Sequence, residues 1–227
     1  MNNIENNISV IKKRIEAAAK NSGRNPNDIN LVAVSKRQPV QAIIDAYNAG
    51  QRDFGENYAQ ELREKATELA SYTDINWHYI GHLQTNKVKY VAPYAHMMEC
   101  IDSTHTASEF SKQANKFNRK IDILLQVNIG NESQKHGCSS EDAKKIISEI
   151  SVLGGIRLKG LMAIVPYSDD PEEARVYFHK LKLLRDTLGG KELLPHLSMG
   201  MSNDYEVAIQ EGSTIVRVGT AIFGERI

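Results

Sequence analysis

Cysteine is nearly absent: Cys100 and Cys138 are the two in 227 residues. They are not closely paired and lack the His/Cys spacing of a zinc site. They read as reduced thiols of a cytoplasmic chain, not as a disulfide framework. Net charge is absent too, with 28 basic and 28 acidic residues, which removes any general pull toward nucleic acid or an anionic membrane. No apolar stretch approaches the roughly 20 residues of a membrane helix. The N-terminal "MNNIENNISV" has no basic start followed by an apolar run, so no leader is expected in it. No low-complexity linker divides the chain. A glycine-rich phosphate turn is missing after the first apolar strand, where "SKRQP" stands instead. That argues against an open doubly wound nucleotide-binding sheet.

What is present is alternation. Ile4, Ile8, Ile11 and Ile15 mark one face of a leading helix over residues 4–20, and "NSGRNPND" breaks it. Strand-like runs then alternate with helical ones: "INLVAVSK", "RDFGEN", "NWHYIG", "MMECIDS", "IDILLQVNIG", "LKGLMAIVP", "HLSMG" and "STIVRVGTAIFG". Eight strands, each but the last followed by a helix, predict a (β/α)8 TIM barrel of the α/β class. The expected organisation is one domain over residues 1–227, with residues 1–25 as an extra N-terminal helix packed outside the barrel.

In such a barrel the chemistry sits at the C-terminal strand ends. Lys36 ends the first strand, Glu56-Asn57 the second, and Asp102-Ser103 the fourth. Gly200, Ser202 and Asn203 follow the seventh, and Arg217, Gly219 and Thr220 end the eighth. Backbone N–H groups and hydroxyls at the last two tips suit a phosphate; the plainer alternative is that Ser202 or Asn203 caps a helix. Barrel closure sets Lys36 beside Gly219 and Thr220. There it either pairs with a phosphate as a point charge or forms a Schiff base with a phosphorylated aldehyde, for which burial favours the neutral amine. A third reading is a lysine whose stem is buried and whose head reaches water. Arg217 shares a face with Gly219 and needs a partner, such as the unprotonated ring nitrogen of a pyridine cofactor.

The segments "AVSKRQP", "FGENYAQE", "WHYIGHLQTNK", "VNIGNESQKHG", "GLMAI" and "LSMGMSNDYEVAIQEGSTIVRVGTAIFGER" resemble the pyridoxal phosphate homeostasis proteins, the single-domain relatives of alanine racemase. The resemblance runs from about residue 30 to the end. It implies the barrel of the alanine racemase N-terminal domain. It also implies pyridoxal 5′-phosphate carried on Lys36, with Asn57 at the ring, Arg217 at the pyridine nitrogen, and Ser202, Gly219 and Thr220 at the phosphate. Members are described as binding and supplying the cofactor, without an established reaction.

Other residues are weaker candidates. His78 and His82 are four apart, but on a strand running into a turn, so a helical metal pair is not expected. Lys135 and His136 follow the fifth strand and are compatible with lining the site. Glu56 is a candidate base. Two function classes follow: a carrier that passes the cofactor to apo-enzymes, and an amino-acid racemase. Racemisation needs a base on each face of the α-carbon. The racemase obtains one from a second domain for which this sequence has no room after Thr220. The expectation is therefore a monomeric carrier.

Overall fold

The predicted apolar face of Ile8, Ile11 and Ile15 is buried on helix α1 (Ile4–Asn21), whose first turn is capped by the Asn3 side chain accepting from the N–H of Asn6 at 2.9 Å. The computed structural model describes residues 3–132 and 134–224. The expected domain limits at 1 and 227 lie outside the described residues, as does Ser133 of the "NESQKHG" segment.

Eight parallel strands follow, alternating with helices in chain order. They are β1 (Asn30–Val34), α2 (Val40–Asn48), β2 (Asp53–Glu56), α3 (Ala59–Glu68), β3 (Asn76–Tyr79), α4 (Val88–Val91), β4 (Met97–Ile101), α5 (Thr104–Lys116), β5 (Ile121–Gln126), α6 (Ser140–Ile150) and β6 (Ile156–Met162). The last part comprises α7 (Arg175–Thr187), α8 (Gly190–Leu193), β7 (His196–Ser198), α9 (Tyr205–Gln210), β8 (Ile215–Val218) and α10 (Thr220–Phe223). The strands close in sequence order into a barrel. β1 meets β8 in the register Val32 to Arg217 and Ala33 to Val218. Helix α1 packs on α2, α9 and α10, outside that closing seam.

Three boundaries differ from the sequence expectation. The apolar run Thr220–Phe223 is a helical turn, not the end of the last strand. The chain breaks at Gly219 (φ −115°, ψ −77°), and Ile222 and Phe223 are buried while the Ile222 carbonyl accepts from Asn7 of α1. The run "DPEEARVYFHKLKLLRDTL", expected as one helix with Pro171 near its first turn, instead opens with a separate 3₁₀ turn, Pro171–Ala174, and α7 begins after it. Strand β5 stops at Gln126 because Val127 bridges to Cys138 of its own outgoing loop.

The core has two layers. Between strands and helices lie apolar side chains such as Ile43, Leu62, Phe110 and Phe178, all fully buried. The barrel interior is partly polar: His78, Glu99, Ser198 and Arg217 are at most 4 % exposed. Barrels of this kind usually fill that space with branched apolar residues, so the polar interior points to the rim above it.

Candidate functional site

The register that closes the barrel also builds the site. Gly219 follows β8 and lies beside Val34, where an added Cβ would meet the Val34 Cβ and carbonyl oxygen at 3.4 Å. Lys36 lies two residues past Val34, and both line a cavity of about 620 Å³ at the C-terminal rim. Lys36, Asn57, Ser202, Arg217, Gly219 and Thr220, all expected from the sequence, line this one cavity. Its size is ordinary for a small-molecule pocket.

The β7–α9 and β8–α10 turns form one wall. Ser202 Oγ accepts from the N–H of Gly219 at 3.3 Å and from the Thr220 hydroxyl at 3.2 Å, tying the two turns together. Ser202 and Asn203 do not cap α9. Instead Asp204 Oδ1 accepts from the N–H of Met201 at 2.6 Å, and Asn203 donates to the Ser168 carbonyl. The N–H groups of Ser202, Asn203, Thr220 and Ala221, residues that all line the cavity, have no acceptor among the described residues. Gly200 makes the approach possible. Its φ is +95°, and a Cβ there would stand 2.6 Å from the Ala208 Cβ and 2.9 Å from the Tyr205 Cα.

The opposite wall depends on contacts that sequence patterning did not single out. Tyr79 donates to the Asn57 carbonyl at 3.0 Å, and Gly81 lets that carbonyl pass where a Cβ would be 2.2 Å away. The Asn57 Oδ1 atom is buried with no donor. Beneath Lys36, buried Lys65 donates to the Ser35 carbonyl at 2.7 Å, to Glu56 at 2.8 Å and to Glu61 at 2.6 Å. Ser35 donates to the same Glu56 oxygen at 2.6 Å, and Glu61 also accepts from the N–H of Arg37, which holds φ +59°. The strand tip carrying Lys36 is thus clamped from below. Burial pushes the Glu56 carboxyl up to about 7 against the opposing pull of Lys65. Glu56 is a member of this clamp and does not line the cavity.

The floor is Arg217, which donates to the Ser198 hydroxyl and to the Ala163 carbonyl. Ser198 in turn donates to Glu99 at 2.5 Å, Glu99 accepts from His78 at 2.6 Å, and the other nitrogen of His78 meets Asp53 at 3.0 Å. A continuous polar chain therefore runs through the barrel from Asp53 to the cavity. Burial alone would depress the His78 imidazole. Its bonds to Asp53 and Glu99 outweigh this and raise it to about 9. Burial draws Arg217 down while Glu99 and Asp204 oppose the change, and a guanidinium keeps its charge in proteins. The Arg217 Nε has no acceptor among the described residues.

His78 therefore belongs inside the barrel and is separated in role from His82 at the rim. Lys135 and His136 line a smaller adjoining hollow, which shares Asn57, Ile80 and Ile164 with the main cavity. Lys135 is paired with Glu132 at 2.5 Å. Glu99, Lys65 and Glu61 escaped the sequence reading. A polar residue inside an apolar strand, as Glu99 is in "MMECI", was the available signal.

The family model for the alanine racemase N-terminal domain matches residues 1–227. A relative from Aquifex aeolicus, named pyridoxal phosphate homeostasis protein, is 43 % identical over 221 residues, covering 96 % of each chain. A solved structure of a protein of unknown function from Bifidobacterium adolescentis superposes with a TM-score of 0.91 at 37 % identity, over 97 % of this chain and 94 % of that one. PipY of Synechococcus elongatus, solved with PLP bound, superposes with a TM-score of 0.80 at 33 % identity, over 93 % of this chain and all of that one.

Proposed function

The chain belongs to the alanine racemase N-terminal-domain family and, within it, to the pyridoxal phosphate homeostasis proteins, and from that premise we propose that it holds pyridoxal 5′-phosphate through a Schiff base on Lys36 and supplies it to apo-enzymes. The observation that carries this reading is convergence. One cavity gathers a lysine from a clamped strand tip, an arginine on its floor and a wall of unpartnered N–H groups.

The residues fit the group. The cofactor's phosphate needs donors, and Ser202, Asn203, Thr220 and Ala221 have backbone N–H groups to give. The hydroxyls of Ser202 and Thr220 and the backbone of Gly219 complete this cradle. The ring nitrogen needs a donor or nothing, and Arg217 has Nε to offer. The ring's polar substituents need acceptors, and the buried Asn57 Oδ1 lacks a donor. Lys36 is partly buried and lines the cavity with Val34 and Ile80, where its amine would meet the cofactor's aldehyde. When bound, pyridoxal phosphate supplies an aldehyde that captures amines and a ring that withdraws electrons from them.

This chain's residues restrain that chemistry. Arg217 only donates, so it gives the ring nitrogen no acidic proton partner, and an unprotonated ring is a weaker electron sink. Racemisation also needs a second base opposite Lys36. Apart from Lys36 and Arg217, the ionisable side chains lining the cavity are Tyr167 and Asp204. Tyr167 donates to Asp169 at the rim and is 78 % exposed, while Asp204 is engaged by the Met201 N–H. These features support holding and release over turnover. The exposed Ile164 and Tyr167 at the mouth leave a route by which the cofactor can depart.

We read the protein as a cytoplasmic monomer, and both of its cysteines are free and buried. The decisive experiment is borohydride reduction of the cofactor-loaded protein followed by peptide mass spectrometry. The label falls on Lys36 and is lost in Lys36→Ala, with the circular dichroism of the barrel retained. Label on Lys135 with none on Lys36 would refute the assignment.

A further inference from the structure

Across the barrel from the phosphate cradle, the outgoing ends of β3, β4 and β5 bring together His82, Asp102 and His136. One donor atom from each lies within 4.8 Å of the other two. The two imidazoles stack, with centroids 3.8 Å apart and planes inclined by 8°. His82 Nδ1 stands 3.8 Å from Asp102 Oδ2, too far for a hydrogen bond. The second carboxylate oxygen, Oδ1, accepts from the Thr106 hydroxyl at 3.4 Å, and Thr106 is held in turn by Ser103. One oxygen of Asp102 is therefore anchored and the other faces the ring nitrogens.

The supports of the third donor are also in place. The His136 carbonyl accepts from the buried Gln126 amide at 3.0 Å, Asn128 holds the loop through the Glu132 carbonyl, and the Val127–Cys138 bridge closes it. Three donors from three strand ends thus meet at one point of the rim, with the carboxylate already anchored.

We propose that His82, Asp102 and His136 form a binding site for one divalent transition metal of the zinc class. Two imidazole nitrogens and one carboxylate oxygen select such an ion over magnesium or calcium, which prefer oxygen ligands alone. Metal bonds of about 2.0–2.2 Å in a tetrahedral site hold donors roughly 3.3–3.6 Å apart, so the cluster must contract by about an ångström and a ring must turn out of the parallel stack to aim at the same ion. His82, with 43 % of its side chain exposed, has room to make that turn. Three protein donors leave at least one position open, and the site adjoins the hollow shared with the main cavity.

The test uses chelator-treated protein and the metal alone. Calorimetric titration with Zn²⁺ gives one ion per chain in the wild type. His82→Gln and His136→Gln each weaken binding at least about tenfold, while His105→Gln, an exposed histidine on α5, leaves it unchanged. Co²⁺ added to wild type broadens the imidazole proton resonances of His82 and His136 ahead of those of His105 and His179. Unchanged circular dichroism shows that the variants fold. No Zn²⁺ binding by the wild type, equal binding by both site variants, or Co²⁺ broadening centred on other histidines overturns the proposal.

Discussion

His78 is the residue whose surroundings make the sharpest demand. It lies 1 % exposed between two carboxylates. Its imidazole rises from 6.5 to about 9 because the bonds to Asp53 and Glu99 overcome burial. A group raised in the folded state contributes stability that is complete below the unfolded value and vanishes as pH climbs through the folded one. Glu56 has the same sign but a lower window, since its raised carboxyl, at about 7, has given up its contribution by the time pH passes that value. Between about pH 7 and 9 the falling stability is therefore due mainly to His78. It amounts to about 2–3 kcal/mol at about 1.4 kcal/mol per pH unit. Urea unfolding across this range should show that decline in the wild type and a nearly flat curve in His78→Gln, which is less stable at neutral pH. A parallel decline in the variant would mean that the polar chain beneath Arg217 is not charged as described.

The elements that matter most are the two short turns after β7 and β8. Neither has a conspicuous motif, yet the Ser202 hydroxyl joins them through Gly219 and Thr220. Their job in the proposed function is limited to the phosphate. Thr220→Val combined with Ser202→Ala should therefore weaken pyridoxal phosphate binding while hardly changing the weaker binding of unphosphorylated pyridoxal. Each hydrogen bond lost to a charged acceptor costs about 1.5–3 kcal/mol, which for one bond is roughly a 10- to 150-fold loss in affinity. Fluorescence titration with both ligands checks this, and equal losses for the two would place the phosphate elsewhere. Much of this element pair was legible in the residues, because glycine and hydroxyl side chains after the last two strands of a barrel have a stated use. The boundary between β8 and α10 was not, since the "TAIF" run is apolar in either conformation and only its packing against α1 makes it helical.

At the scale of the molecule, closure of the barrel turns distant segments into neighbours. Lys36 and Thr220 are separated by most of the chain, and the β1–β8 pairing sets them in one cavity. Helix α1 covers the outside of that seam with Ile8, Ile11 and Ile15. On the proposed carrier reading, the described residues lining the cavity offer Lys36 no free opposing base. The cofactor-loaded protein should therefore sediment as a 25.4 kDa species and fail to racemise amino acids at an enzymatic rate. Incubation of L-alanine in deuterated water, followed by chiral chromatography and mass spectrometry, measures this directly. Turnover near 1 s⁻¹ or faster, within the ordinary range of enzymes, would replace the carrier reading with a racemase.

By itself the sequence determined the class of fold and six of the residues that line the cavity. Periodicity marks strands and helices locally, and the barrel rule assigns function to strand ends without needing coordinates. Lys36, Arg217 and the turns after β7 and β8 could be named on that basis, and the family resemblance added Asn57. Tertiary structure alone decided what stands behind them. The clamp of Lys65, Glu56 and Glu61 under Lys36, the line from Asp53 through His78 and Glu99 to Arg217, and the meeting of His82, Asp102 and His136 join residues from different strands. Which of those side chains come within hydrogen-bond reach depends on strand register and barrel curvature, and neither is encoded in the spacing along any one segment.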